Sequence, residues 1–210
     1  MPKLILLDGH SLAYRAFYAL PSDLATSQGQ VTNAVYGFTS MLIKLLGDEH
    51  PDGLAVAWDV KGGTFRNEQY PEYKAQREAP PDIFRTQLPL IERVATVMGI
   101  PQFGIAGFEA DDVIATLAER AKAAGWETMV VTGDRDAFQL IEPGIEVMYT
   151  RRGITDTVMA DRGYLKERYD VTPEQYVEYA ALRGDNSDNL PGVPGVGEKT
   201  AAKLLNEHGS

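Results

Sequence analysis

The chain of 210 residues contains no cysteine, which excludes disulfides and every thiolate-held metal. Histidine is nearly as scarce: three scattered residues offer no imidazole constellation for zinc. No apolar run approaches membrane-spanning length, and no basic leader with a long apolar segment and a small-residue cleavage site opens the chain. The expectation is a cytoplasmic protein with no membrane partner. Positive charge is also in deficit, with 20 Lys and Arg against 30 Asp and Glu and a formal net charge of −10. An imbalance of that sign ordinarily disfavours polyanionic partners. Repeats and low-complexity tracts are absent too. What remains, 44% hydrophobic and 24% charged, is an ordinary globular composition, long enough for one core and an appended module.

The acids that are present sit in unusual places. Leu4-Ile5-Leu6-Leu7 closes on Asp8, Leu54-Ala55-Val56-Ala57-Trp58 on Asp59, and Met129-Val130-Val131-Thr132-Gly133 on Asp134. Between these short apolar runs lie segments of helical periodicity: Ser11 to Leu20, Asn33 to Leu46, Phe84 to Met98 before Gly99, and Glu109 to Ala124 before Gly125. Alternating strands and helices predict an α/β fold, a mostly parallel central sheet with helices on both faces. In such a sheet the three Asp residues share the carboxyl edge, where open α/β sheets place their sites. Glu109-Ala110-Asp111-Asp112, Asp136 and Asp185-Asn186-Ser187-Asp188 supply further carboxylates. Gathered carboxylates repel one another and call for cations. An all-oxygen donor set points to Mg²⁺ or Mn²⁺, with phosphate chemistry as its leading use. Nine of the 30 acids belong to these clusters, and the other 21 nearly balance the 20 Lys and Arg. The acidity is thus mostly local to the predicted metal site, and polyanion binding depends on local patches.

Two other segments stand apart. Lys61 to Asp82 carries Gly62-Gly63, Pro71, Pro80-Pro81, two Tyr, and the basic residues Lys61, Arg66, Lys74 and Arg77. A polar, Pro-punctuated stretch of that length inside a domain reads as a functional lid with little to add to a core. Leu190 to Ala201 is a Gly-rich turn running into a helix. It is not a phosphate loop of the Walker type, because Glu198 separates Gly197 from Lys199 and no strand leads into Gly192. A hairpin between two helices fits better, with Gly195 and Gly197 letting amides approach phosphate at a helix N-terminus. Lys199 and Lys203, four apart, lie on one face of that helix and suit successive phosphates.

Four strings carry a family resemblance: Leu7 to Arg15 (LDGHSLAYR), Glu109 to Asp112 (EADD), Thr132 to Asp136 (TGDRD), and Gly184 to Ala201 (GDNSDNLPGVPGVGEKTA). In content and order they resemble the 5′ nuclease domain that opens bacterial DNA polymerase I chains, within the flap endonuclease superfamily. The resemblance implies a PIN-like nuclease core over 1–182 with a helical arch or lid at about 61–90. Residues 183–210 would begin a helix-hairpin-helix duplex-binding module that normally continues beyond Ser210, so the chain is expected to be an N-terminal fragment of a parent with a polymerase domain. It further implies a two-metal phosphodiesterase acting on 5′-flap or nicked duplex DNA and on RNA primer–DNA hybrids, as a monomer associated with the nucleoid. Asp8, Asp59, Glu109 and Asp111 match ligands of a first ion, and Asp112, Asp134, Asp136, Asp185 and Asp188 match those nearer a second. Lys74 and Arg77 match the basic pair of the arch that clamps the scissile phosphate; three apart on a helix, they would face the same way. Tyr14 and Arg15 fall where a Tyr stacks on an unpaired base and an Arg meets phosphate. Gly192, Gly195, Gly197, Lys199 and Lys203 match the duplex-gripping hairpin, which in the family sometimes holds K⁺.

Blander readings exist for each part. An Asp that ends a strand is commonly a helix cap, Asp112 and Asp188 suit a solvated helix face, and Tyr14, close to Phe17 and Tyr18, suits a core. His10 has no partner visible in sequence and receives no role. Whole-chain alternatives are a catalytically silent DNA-junction binding module and a small endoribonuclease with an acidic sheet edge. The first leaves the full acid set unexplained, and the second lacks the lid and the hairpin. A haloacid-dehalogenase-type phosphatase requires a second Asp where His10 stands.

Overall fold

The strand–helix alternation of the sequence becomes a six-stranded sheet flanked by nine helices in the computed structural model, which describes residues 1–153 and 155–209. The expected module at 183–210 therefore ends one residue outside the described residues. In chain order the elements are β1 (Lys3–Asp8), α1 (Gly9–Ala19), α2 (Asn33–Glu49), β2 (Gly53–Ala57), α3 (Phe65–Gln69), α4 (Asp82–Arg85), α5 (Leu88–Val97), β3 (Gln102–Phe103), α6 (Ala110–Ala123), β4 (Glu127–Thr132), β5 (Ile145–Arg152), β6 (Asp156–Ala160), α7 (Arg162–Tyr169), α8 (Tyr176–Arg183) and α9 (Glu198–His208). Short 3-10 turns at Arg135–Leu140 and Pro173–Gln175 complete the set. No helix among the described residues is long and apolar enough to cross a membrane.

Strand order is β3-β2-β1-β4-β5-β6, parallel throughout except for the antiparallel β5–β6 hairpin. The order in which strands are added reverses between β1 and β4, and the crevice outside the carboxyl ends at such a switch point is where this architecture places ligands. The register brings Asp8 beside Ala57 and Leu7 beside Val131, so the acidic ends of β1, β2 and β4 reach one edge together, as the sequence predicts.

Side-chain alternation along the strands builds two cores. Ile5, Leu7, Val56, Met129 and Val131 face α1, α2 and α5 through Leu12, Phe17, Phe38, Leu42 and Ile91. Leu6, Ala55, Val130, Ile145 and Val147 face the opposite layer, where Ile114, Phe138, Leu165, Tyr176, Tyr179 and Leu205 fill the space. The second cluster runs unbroken from the sheet to α9, so the Gly-rich hairpin is seated on the same core as the strand ends.

The lid departs from expectation in two ways. Tyr73 is buried, so the segment does contribute to packing. Lys74 has φ 57, in the left-handed region, and lies among turns, so Lys74 and Arg77 do not share a helix. Pro71 and Pro80-Pro81 confine helix in this stretch to α3 and α4. The lid is held down by long-range bonds instead: Lys74 N–H to the Asp188 carbonyl (3.0 Å), Tyr70 OH to the Asn189 carbonyl (3.1 Å), and Asn189 Nδ2 to the Glu72 carbonyl (2.9 Å).

Candidate active site

Each strand-end acid is held by a backbone amide, that of the following turn for Asp8 and Asp134 and that of a distant helix for Asp59. Asp8 caps α1 by accepting the Ser11 amide at 3.0 Å, and its second oxygen accepts the Thr132 hydroxyl at 2.8 Å. Asp59 accepts the Ala110 amide at 2.8 Å at the start of α6, and Asp134 accepts the Asp136 amide at 3.0 Å. Capping and placement therefore coincide: amides of three first turns fix one oxygen of each carboxylate, and on Asp8 the Thr132 hydroxyl holds the second. Asp185 is fixed similarly, through the Ser187 amide (2.7 Å) and hydroxyl (2.6 Å).

Two clefts share the Gly133–Asp134 loop. One, of about 530 Å³, is lined by Asp8, Asp59, Lys74, Arg77, Glu109, Asp111 and Asp134, among others. The other, of about 470 Å³, is lined by Asp134, Asp136 and Asp185 together with Arg135, Tyr149 and Arg183. Asp134 thus stands between an outer group of acids and an inner one.

Repulsion within this group is visible in its proton affinities. Burial, with added repulsion from Asp59 and Asp134, raises the Asp8 carboxyl to about 6 against the pull of its Ser11 and Thr132 bonds. Burial, then the charges of Asp8, Asp134 and Asp59, raise Asp111 to about 8. Burial and the neighbouring Asp134 raise Asp136 to about 6. The carboxylates of Asp111 and Asp136 accept no hydrogen bond among the described residues. Among those residues, no three acid or histidine side chains are drawn in closely enough to form a ready coordination shell. The donor set nevertheless suits a hard divalent cation: it is all oxygen, negative, and partly buried.

The basic lid supplies positive charge to the remaining acids. Lys74 Nζ lies 2.9 and 3.0 Å from the two oxygens of Glu109, and Arg77 pairs with Asp188. Tyr73 OH bridges the two acids, 3.0 Å from Glu109 and 3.1 Å from Asp188. Asp112, expected near the second ion, is held by the lid. Both its oxygens are taken by Arg66 at 2.8 Å, and Oδ2 also accepts the Glu109 amide at 2.9 Å. That pairing, above all the Arg66 hydrogen bonds, holds the Asp112 carboxyl below its usual range. Asp112 does not line the first cleft.

Tyr14 lines the first cleft while stacking on Phe84 at 4.2 Å, so it packs on the core and borders the cleft at once. Arg15 reaches sideways: Nη1 donates to the Arg151 carbonyl at 2.6 Å, tying α1 to the β5–β6 hairpin. His10, given no role from sequence, lies in the same cleft, where Nδ1 accepts the Asp59 amide at 3.3 Å. Burial lowers its pKa, which favours the neutral ring needed for that bond. Tyr73 and Arg66 were also not marked as site residues. Tyr73 carried a usable signal, an aromatic directly before Lys74.

In the hairpin, Gly192 is required by close backbone packing. A Cβ there would lie 2.4 Å from the Arg183 backbone, and one on Gly184, itself at φ 74, would lie 2.3 Å from Gly192 N. The two glycines let α8 hand over to the Asp185–Leu190 loop back to back. Gly195 and Gly197 have open space at their Cβ positions, and Gly197 is the exposed N-cap of α9. Lys199 and Lys203 are exposed on that helix, and Lys203 lies 3.8 Å from Glu207.

Two family models together match nearly the whole chain. The model for the 5′-3′ exonuclease N-terminal resolvase-like domain matches residues 3–170, and that for the 5′-3′ exonuclease C-terminal SAM fold matches 171–210. The chain belongs to the 5′-3′ exonuclease family. DNA polymerase I of Mycobacterium tuberculosis is 54% identical over 210 residues, which is 100% of this chain and 23% of that protein. The chain thus spans about a quarter of the length of such relatives. Among solved structures, the bacteriophage T5 5′-exonuclease with bound zinc superposes at a TM-score of 0.77 and 23% identity, covering 99% of this chain and 76% of that one. The catalytic core of Rad2 in complex with DNA substrate gives 0.59 and 20%, covering 100% and 62%. At these identities the structures establish the fold, that of a mostly parallel α/β nuclease domain.

Proposed function

We propose that this 5′-3′ exonuclease-family domain is a divalent-metal-dependent phosphodiesterase that cuts at the junction between a 5′ single strand and its duplex, in 5′-flap DNA and RNA-primed DNA. The observation that carries this reading is the juxtaposition at one sheet edge of uncompensated carboxylates, a basic lid and a glycine-rich hairpin on the same core. Asp8, Asp59, Glu109, Asp111 and Asp134 would hold one Mg²⁺ or Mn²⁺, and Asp134, Asp136, Asp185 and Asp188 would hold another. When bound, such ions activate water and stabilise charge on the entering and leaving oxygens.

The chain's own groups do the rest. Lys74 and Arg77 contact the scissile phosphate and balance the charge that builds on it. In the free protein those cations rest on Glu109 and Asp188, so substrate and metal entry must be accompanied by a change of partners. Tyr14 offers a ring face at the cleft mouth to an unpaired base. Gly195, Gly197, Lys199 and Lys203 grip duplex phosphates without reading sequence, and K⁺ is a suitable ion for the open turn between them. The parent protein's polymerase region and a monomeric state complete the proposal.

Substrate class is tested by comparing matched 5′-flap duplex, blunt duplex, free single strand and RNA-primed duplex under one metal concentration. Flap and RNA-primed duplexes are expected to be cut at least about tenfold faster than either single-component substrate, since each of those engages only one of the two grips. Equal rates on free single strand would remove the hairpin from the account.

A further inference from the structure

The lid meets the first turn of α6 at two different acids. Tyr73 and Lys74 hold Glu109, which faces the first cleft. Arg66 holds Asp112, which does not line it, in a two-pronged pair at 2.8 Å on each oxygen. Independent contacts reinforce the second junction. The Phe65 amide donates to the Gly107 carbonyl at 3.1 Å, and the Phe65 ring packs against Phe108 at 5.8 Å. The Arg66 guanidinium lies 4.6 Å from the Phe65 ring centroid, and Thr64 and Asn67 form a capping box that closes α3 at the same spot. Asp112 also accepts the Glu109 amide, so the residue that receives the lid also fixes the backbone of Glu109.

The two junctions differ in kind. Arg77, 48% exposed, and Lys74 sit among turns and grip acids that the proposed chemistry needs elsewhere. Arg66 is on a capped helix, and its planar fork matches both oxygens of a carboxylate that lies outside the first cleft. We infer that Arg66 and Asp112 are the fixed foot of the lid, a positioning pair that stays closed while Lys74 and Arg77 exchange partners. Through the shared Glu109 amide, the pair sets the lid and the first turn of α6 relative to each other. The catalytic consequence rests on the nuclease reading above, whereas the mechanical one does not.

A double-mutant cycle over Arg66→Ala, Asp112→Ala and the double variant tests this, read by amide hydrogen exchange of residues 70–80 in the metal-free protein and by single-turnover flap cleavage. Each single variant is expected to lose roughly tenfold in exchange protection and in rate, and the double variant to lose no more than either alone, because both remove one contact. Arg66→Lys, which keeps the charge without the fork, falls between. Mn²⁺ affinity by calorimetry serves as the second readout, with Asp112→Asn and Arg66→Ala each shifting it by less than about threefold. Additive losses, unchanged protection in the single variants, or a loss of Mn²⁺ affinity above about tenfold confined to Asp112→Asn would overturn the inference, the last by making Asp112 a ligand. If the parent protein itself cut no flap, the nuclease reading would fail while the exchange cycle still decided the foot.

Discussion

Asp134→Ala is expected to abolish Mg²⁺-dependent cleavage, lowering the single-turnover rate by about a thousandfold or more, while flap-duplex binding in Ca²⁺ stays within about threefold. Asp134 is the acid that lines both clefts, so its loss degrades both proposed ion sites at once. Its other duty, capping the turn at Asp136, must be separated from that role. Asp134→Asn keeps a capping oxygen and removes the charge. Equal loss of cleavage in the Asn and Ala variants assigns the effect to charge, whereas recovery in Asn assigns it to the cap. Unchanged cleavage in Asp134→Ala would remove the residue from the site.

Lys74→Ala is expected to move two measurements in opposite directions. Single-turnover cleavage should fall about a hundredfold with little loss of DNA affinity, the pattern of a group whose contact strengthens as charge develops on phosphate. Metal affinity measured without DNA should rise a few-fold, because the ammonium that shares both oxygens of Glu109 is gone. A calorimetric titration with Mn²⁺ checks the second effect and a quenched-flow time course the first. A defect confined to DNA affinity would contradict electrostatic catalysis by Lys74. Weaker metal binding would contradict the exchange of partners proposed for the lid.

Much of this was legible in the chain because its signals are local. The apolar runs ending in Asp8, Asp59 and Asp134 encode strand and edge together, and Asp8 and Asp134 also cap the turns that directly follow them. That dual duty also explains why the cap reading and the ligand reading of these acids did not exclude each other. The lid was legible as a departure from core composition, but its conformation was not. Lys74 adopts a left-handed backbone because the chain there is bonded to residues more than a hundred positions away, such as Asn189 with the Glu72 carbonyl. Sequence spacing carries no trace of such a contact. Asp112 shows the same limit: three residues past Glu109 it resembles a fourth member of a ligand cluster, and only the fold brings Arg66, 46 residues earlier, onto both its oxygens. Gly192 shows it in the hairpin, where only the fold brings the backbone of Arg183 and Gly184 against the place a side chain would take.

The central claim is that the carboxylate edge cuts, with metal, at the place where a threaded strand meets its duplex. Its most direct test is a 5′-labelled flap duplex incubated with the protein in Mg²⁺, in Mn²⁺ and in EDTA, with products resolved to single nucleotides. One dominant cut within about one nucleotide of the junction is expected in either metal, with intact substrate in EDTA. Cleavage that persists in EDTA, or that scatters along the flap without regard to the junction, would contradict it.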